Sequence, residues 1–352
     1  MTTIHEIAVG DRLIGPGHEP FVIAEMSGNH GGDLERALDI VRAAGEAGAH
    51  ALKIQTYTAD TITLDVDTPA FRLSADHPLW PNRRLHELYE EAHTPWEWHE
   101  PIFALASELG MVPFSAAFDP TAVDFLVKLG VPMLKSASSE ITDLPLVRAI
   151  AETGLPTIIS TGTATLAEID AAVRTARATG NEDLVVLACT ASYPAPPEAS
   201  NLRAIPVLRD GLDVAVGLSD HTLGIGASIA AVALGACVIE KHITLSRADG
   251  AVDSDFSLEP DEFASLVSET RIAWQALGEA RIGPKSAERE GLRFRRSLFV
   301  TRDVRAGEKV GPDNVRSVRP ADGLPPADVD IVFGRTFTQD VPAGTPLSWD
   351  LV

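Results

Sequence analysis

From residue 22 to residue 277, short apolar runs of strand type alternate with segments of helical period. This alternation constrains the fold more than any other feature of the chain. Strand-type runs stand at 22–24, 51–55, 111–115, 133–137, 157–160, 184–189, 214–218 and 237–239. Nearly every one leads into a helical segment. The first, 34–47, follows an Asp33 cap and carries Leu38, Val41 and Ala44 at helical spacing. Another is opened by Pro95 at its first turn, and the rest lie at 121–129, 144–152, 166–178, 201–209, 225–234 and 260–277. The count predicts a closed (β/α)8 TIM barrel in preference to an open doubly wound sheet. Neither Gly-x-Gly-x-x-Gly nor Gly-x-x-x-x-Gly-Lys-Ser/Thr occurs, which weakens a nucleotide-binding open sheet further. Residues 56–94 interrupt the series as a longer polar stretch.

After residue 277 the pattern changes. Residues 278–291 are polar and charged and read as a linker. Residues 292–352 break into short β-type runs separated by turn signals such as Ala306-Gly307 and Ala343-Gly344. The expected organisation is a barrel over 1–277, a linker over 278–291, and a small β-rich domain over 292–352.

A formal net charge of −21 argues against nucleic acid or an anionic membrane as partners, because both require a basic surface. It also means that an anionic substrate needs a few cations focused in one cleft. No apolar run approaches the ~18 residues of a membrane span, and Met1-Thr-Thr-Ile-His-Glu shows no secretory signal. Cys189 and Cys237 sit within apolar strand-type runs, as expected for reduced, buried thiols in a cytoplasmic protein.

Polar residues end essentially every predicted barrel strand: Glu25; Lys53 and Gln55; Ser115; Lys135 with Glu140; Ser160 and Thr161; Thr190 and Tyr193; Ser219 and His221; Glu240 and His242. Barrel enzymes place their sites at this C-terminal face. Gly217-Leu-Ser-Asp-His221 and Cys237-Val-Ile-Glu-Lys-His242 flank one helical segment, so each strand delivers a histidine just past its end. In a parallel sheet two such imidazoles can converge on one divalent ion. A lone strand-end histidine is more often a packed residue; a neighbouring pair favours a metal or catalytic role. Two protein nitrogens leave open positions, which suits a Lewis acid and not a closed structural zinc site.

Lys53 and Lys135 follow strand-core residues, so their stems point into the mouth. A charge that deep requires a partner, and a bound anion is favoured over an internal salt bridge. Glu25 either pairs with one of these lysines or serves as a general base. Ser160-Thr-Gly-Thr, ahead of the helix near residue 165, offers hydroxyls and helix-terminal N–H groups to a phosphate.

Several of these segments resemble the sialic acid synthase family: Ile23-Ala-Glu25-Met-Ser-Gly-Asn-His30, Lys53-Ile-Gln55, Lys135-Ser-Ala-Ser-Ser-Glu140, Ser160-Thr-Gly, Tyr193-Pro, Gly217-Leu-Ser-Asp-His221-Thr and Glu240-Lys-His242. Phe294-Arg-Arg-Ser-Leu, Val318-Arg319-Pro and the late Gly-Thr-Pro-Leu are similar to that family's antifreeze-like SAF domain, a β-clip fold. Gln55-Thr-Tyr-Thr-Ala-Asp-Thr, Thr94-Pro-Trp-Glu-Trp-His99 and Ser246-Arg-Ala-Asp-Gly-x-x-Asp253 look most like the family's pseudaminic acid synthases.

The resemblance implies condensation of phosphoenolpyruvate with an open-chain 2,4-diacetamido-2,4,6-trideoxy-altrose. It implies a divalent metal on His221 and His242, Mn²⁺ first, with Mg²⁺ or Co²⁺ as alternatives. By the same resemblance Lys53, Ser115, Lys135, Ser160 and Ser219 hold phosphoenolpyruvate, and Gln55, Glu140, Tyr193 and Asp253 face the sugar. The resemblance further implies that Arg319 reaches the site from the SAF domain of a second subunit in a domain-swapped homodimer, and the mechanism it implies leaves Glu25 to orient or deprotonate the attacking water. Ala116, Ala117, Ser136 and Ala191 depart from the family pattern and bear on fine contacts and sugar choice. Rival readings are an N-acetylneuraminate or legionaminate synthase, a Schiff-base pyruvate aldolase using Lys53 or Lys135, and a non-catalytic carbohydrate or ice binder.

Overall fold

The computed structural model describes residues 4–75 and 80–352. Residues 1–3, where the N-terminal reading begins, and 76–79, within the polar stretch, lie outside the described residues. The chain divides into two compact units, Met1–Gly278 and Glu279–Val352.

In the first unit a hairpin, β1 (Ile7–Val9) and β2 (Arg12–Ile14), precedes eight parallel strands that close on themselves. These are β3 (Phe21–Glu25), β4 (Ala51–Thr56), β5 (Val112–Ala117), β6 (Leu134–Ser136), β7 (Thr157–Ser160), β8 (Leu184–Cys189), β9 (Ala215–Asp220) and β10 (Val238–His242), with β10 pairing β3. The helices are α1 (Leu34–Glu46), α2 (Ala59–Ile62), α3 (Leu85–Ala92), α4 (His99–Glu108), α5 (Pro120–Leu129), α6 (Leu144–Glu152), α7 (Leu166–Arg177), α8 (Ala204–Leu212), α9 (Gly226–Ala233) and α10 (Pro260–Leu277). The predicted barrel is the observed one.

Strand alternation decides what faces where. Outward residues such as Val22, Leu52, Ile159, Val186 and Ile239 form one core with the helices. Inward residues near the strand starts, among them Phe21, Phe114, Met133, Ile158 and Val185, form a second core. Ile7, Val9 and Ile14 join that inner core, so the hairpin stoppers the N-terminal mouth. The apolar plug leaves the opposite mouth for polar chemistry.

The strand ends differ in detail from the sequence reading. His221 directly follows β9, but His242 is the last residue of β10 and not a residue beyond it, because the ladder continues through the pairs Lys241↔Asp220 and His242↔Glu25. Pro95 does not open the α-helix. A 3-10 turn, Trp96–Trp98, intervenes before α4. Within the described residues of the 56–94 stretch, 59–62 and 85–92 are helical, as α2 and α3.

The second unit pairs β11 (Ser297–Val300) antiparallel to β12 (Val315–Val318). Isolated bridges Phe299↔Pro346, Val304↔Val341 and Lys309↔Thr336 extend the β character, and Leu298, Val304, Val310, Phe337 and Leu347 supply a small core of its own.

Candidate active site

A cavity of about 430 Å³ opens at the C-terminal mouth of the barrel. Its floor is the charged layer one step above the apolar plug: Lys53, Lys135, Ser160, Cys189, Ser219 and Glu240 project inward from their strands. Gln55, Glu140, Tyr193, His221, His242 and Asp253 line it higher up. Ten of the residues given a site role from sequence therefore meet in one cavity.

The lysines have internal partners. Lys53 Nζ lies 2.5 Å from Glu25 Oε2 and 3.7 Å from Glu240 Oε1, and Lys135 Nζ donates to Glu240 Oε1 at 2.6 Å. All four side chains are at most 4% exposed. The protein itself thus supplies two carboxylates, a pairing that the sequence reading ranked below a bound anion. Glu240, given no role from sequence, is the hub, also accepting from Ser219 Oγ at 3.3 Å. Its signal was present as an inward strand position two residues before His242.

Burial pushes the Glu25 carboxyl up, Lys53 opposing, while Gln55 Nε2 donates to its Oε1 at 3.1 Å. Burial likewise pulls the Lys135 ammonium down, Glu240 opposing. Burial also acts against the charge of Glu240, but the two lysines outweigh it and hold that carboxyl below its ordinary value. The result is a neutral quartet in which Glu25 and Lys135 are the groups most ready to exchange a proton. Burial raises Glu140 to about 7, and Glu140 Oε2 has no protein partner.

The two histidines face each other with ring centroids 5.3 Å apart. His221 Nδ1 donates to Thr190 O at 2.9 Å, which leaves Nε2 free to bind. His242 Nδ1 is buried without a partner. An orphaned imidazole nitrogen beside a second imidazole, with Phe256 and Tyr193 packed on the rings, fits a divalent ion. Among the described residues no group of three or more His, Cys, Asp and Glu side chains is arranged to hold a metal, so an ion here would rest on the two imidazoles.

Three expectations are corrected. Ser115 is on the outward face of β5; its Oγ shares a hydrogen bond with Thr56 Oγ1 at 2.6 Å and donates to Ile54 O at 2.9 Å, under α4. The inward neighbour Ala116 lines the cavity in its place. Glu25 lies under the cavity, where Gln55 and Lys53 cover it. The start of α7 is capped by its own residues, Thr165 Oγ1 accepting from Glu168 N while Glu168 Oε2 accepts from Thr165 N. That leaves Ser160 Oγ, buried and without a partner, as the hydroxyl available to a phosphate. Arg319 belongs to the second unit, at the residue following β12.

A second wall of the cavity was not foreseen. Ile62, Leu73, Leu85, Leu88, Tyr89 and Phe118 make one side apolar, and all but Phe118 come from the 56–94 stretch. The signal was the spacing of Leu85, Leu88, Tyr89 and Ala92, one helical face within a polar segment.

The model of the NeuB family matches residues 40–282. The chain is a member of the NeuB family. The SAF domain matches residues 295–352, so the β-rich unit is this family's C-terminal module. The chain is 43% identical over 327 residues to the pseudaminic acid synthase of Campylobacter jejuni, covering 93% of this chain and 95% of that protein. It is 39% identical over 333 residues to the pseudaminic acid synthase of Helicobacter pylori, covering 94% and 97%. Among solved structures, the N-acetylneuraminic acid synthetase of Leptospira borgpetersenii aligns with a TM-score of 0.73 at 32% identity, over 82% of this chain and 95% of that one.

Proposed function

We propose that this NeuB-family chain condenses phosphoenolpyruvate with an open-chain 2,4-diacetamido-2,4,6-trideoxy-altrose, giving pseudaminic acid and phosphate. The observation that carries the reading is the divided cavity, with a charged floor on one side and an apolar wall on the other. The floor suits a small phosphorylated carboxylate. The wall suits an acceptor bearing methyl groups, two on acetamides and one at C6. Likeness to two pseudaminic acid synthases over nearly their full length supports the same choice of sugar.

Lys53, Lys135, Ser160 and Ser219 hold the phosphate and carboxylate of phosphoenolpyruvate. The lysines neutralise charge on the phosphate as it departs. Gln55, Glu140, Tyr193 and Asp253 orient the sugar. C3 of phosphoenolpyruvate attacks the aldehyde carbon, water adds at C2, and the tetrahedral carbon expels phosphate with C–O cleavage. Glu25 lies beneath the floor and acts through Lys53, 2.5 Å away: Lys53 takes the proton of that water as it passes its own to Glu25, and a proton returns to the new hydroxyl by the same route. A divalent ion, Mn²⁺ in this reading, held by His221 and His242 would supply Lewis-acid polarisation of the aldehyde. Glu240 carries the lysines' charge between substrate visits and yields Lys135 to the entering anion.

Phosphate release against a panel of open-chain acetamido sugars tests the reading. The 6-deoxy-diacetamido sugar should exceed N-acetylmannosamine in kcat/KM by at least about tenfold, since one or two apolar groups in a fitted pocket are worth 1–3 kcal/mol each. Equal rates would sink the sugar assignment and leave an N-acetylneuraminate or legionaminate synthase. Release of phosphate that persists under chelation would sink the metal.

Arg319 completes the sugar site from the SAF domain of a second subunit in a domain-swapped homodimer. Mixing Arg319→Ala subunits with Glu25→Ala subunits should then restore activity in heterodimers, and mixtures as inactive as either parent would count against the swap. The reaction belongs in the cytoplasm on this reading. Both cysteines are free, and among the described residues no helix is long and apolar enough to cross a membrane. Recovery of the enzyme in a membrane or exported fraction would contradict that placement.

A further inference from the structure

Each of the two histidines is preceded by a buried charged residue, and the two charges are opposite in sign. Asp220 precedes His221 at the end of β9, and Lys241 precedes His242 on β10. Strand alternation turns both charges away from the cavity, into the layer beneath α9. There Lys241 Nζ lies 2.9 Å from Asp220 Oδ2, with side chains 0% and 1% exposed. Three further hydrogen bonds hold the pair. Asp220 Oδ1 accepts from Thr222 N at 2.8 Å, Asp220 Oδ2 accepts from Ser228 Oγ in the first turn of α9 at 2.6 Å, and Lys241 Nζ donates to Thr222 O at 2.6 Å. Thr222, the residue after His221, is therefore gripped at both its N–H and its carbonyl by the two charges. Ala195 N donates to His221 O at 2.9 Å and completes the hold on this turn.

The two histidines need this hold unequally. His221 is oriented by its own Nδ1 bond to Thr190 O, whereas the ring of His242 shows no such bond at Nδ1. The direction of His242 is set by its strand and by Phe256, whose ring centroid is 4.9 Å away. A fully desolvated ion pair is a costly way to fasten two strands, because apolar residues of similar volume often serve stability as well or better. What a pair with fixed donor and acceptor directions adds is geometric definition.

We propose that Asp220 and Lys241 are positioning residues for the two-histidine centre, fixing the register and rotation of β9 and β10 so that the imidazoles present their nitrogens at one point. Neither touches substrate. The inference rests on the reading of His221 and His242 as metal ligands.

The test is calorimetric titration of the full-length, metal-stripped protein with Mn²⁺ alone, alongside a thermal melt. The variants are Asp220→Leu/Lys241→Met, which replaces the pair with apolar groups, and Ser228→Ala, which keeps the pair but frees it from α9. The double variant should bind Mn²⁺ about 10- to 100-fold more weakly at a temperature where its melt shows it folded, the range seen when groups supporting a metal ligand are removed. Ser228→Ala should weaken binding by about threefold or more with little change in melting. Wild-type affinity in the folded double variant would overturn the proposal and leave the pair as an anchor for α9 only. If the double variant does not fold, Ser228→Ala decides by the same criterion, unchanged affinity overturning it. Wild-type protein that takes up no Mn²⁺ would instead overturn the metal reading beneath it.

Discussion

His242→Ala is expected to lower metal-dependent phosphate release by at least about 10³-fold while the protein stays folded. The size follows from the site. His242 is one of two imidazoles that line the cavity among the described residues, and its Nδ1 is buried with no partner. Losing half of a two-nitrogen site removes the ion, and Lewis-acid stabilisation of about 4 kcal/mol corresponds to roughly 10³ in rate. The folding cost is smaller. The side chain packs edge-on against Phe256 and His221 but holds no Nδ1 hydrogen bond, so truncation should cost about 1–2 kcal/mol and a few degrees of Tm. His221→Ala should lose as much activity. Continuous phosphate release with Mn²⁺ titrated, paired with a calorimetric melt, reads both quantities. Wild-type turnover in either variant would remove the metal from the mechanism.

The second large effect is expected at Lys135. Lys135→Met strips Glu240 of its 2.6 Å partner and leaves a carboxylate, 3% exposed, with Lys53 at 3.7 Å and the Ser219 hydroxyl. Removing one member of a buried pair costs about 3–5 kcal/mol, because the survivor keeps its desolvation penalty. Activity should fall by 10³-fold or more, since a cation facing the departing phosphate is lost with it.

The stability loss should depend on pH with a definite sign. In the wild type the lysines hold the Glu240 carboxyl down, so its contribution is present above the unfolded carboxylate pKa and fades as the pH falls through the folded value. In the variant, burial prevails and the folded pKa lies above the unfolded one, so protonating Glu240 relieves the variant as the pH falls. The gap in Tm between the two proteins should therefore be widest near pH 8 and narrow toward pH 5. A gap that stays constant would mean that Glu240 is not the group left stranded. Lys135→Met/Glu240→Leu should recover much of the stability and none of the activity, which separates the two roles of Lys135.

Local pattern carried the architecture. Eight strand-type runs and the helices between them gave the barrel, and the period of two along each strand turned Glu25, Lys53, Lys135, Ser160, Ser219 and Glu240 inward together. That period also contained the correction at Ser115. The inward residues of β5 are Phe114 and Ala116, so the serine between them faces the helices. The strand-end reading and the motif likeness both named the residue against the alternation.

What depends on residues distant in sequence was not legible in the same way. Glu240 and Lys135 are 105 positions apart, and only barrel closure sets one carboxylate between two lysines and balances the charge of the cavity floor. The hairpin at 7–14 read as nothing from sequence because its three-residue strands are too short to show a period; its partner is the inner core of the barrel. The apolar wall was hidden by the polar composition of residues 56–94, since α3 turns one narrow face, Leu85, Leu88 and Tyr89, to the cavity and the rest to water.

The sequence by itself therefore determined the barrel, the β-rich module after it, and which strands carry the two histidines and two lysines, because those follow from spacing along the chain. Tertiary structure alone decided which charges neutralise one another, which hydroxyls remain free, and which side of the cavity is apolar. Those are properties of through-space distance and desolvation, and neither exists until the eight strands close.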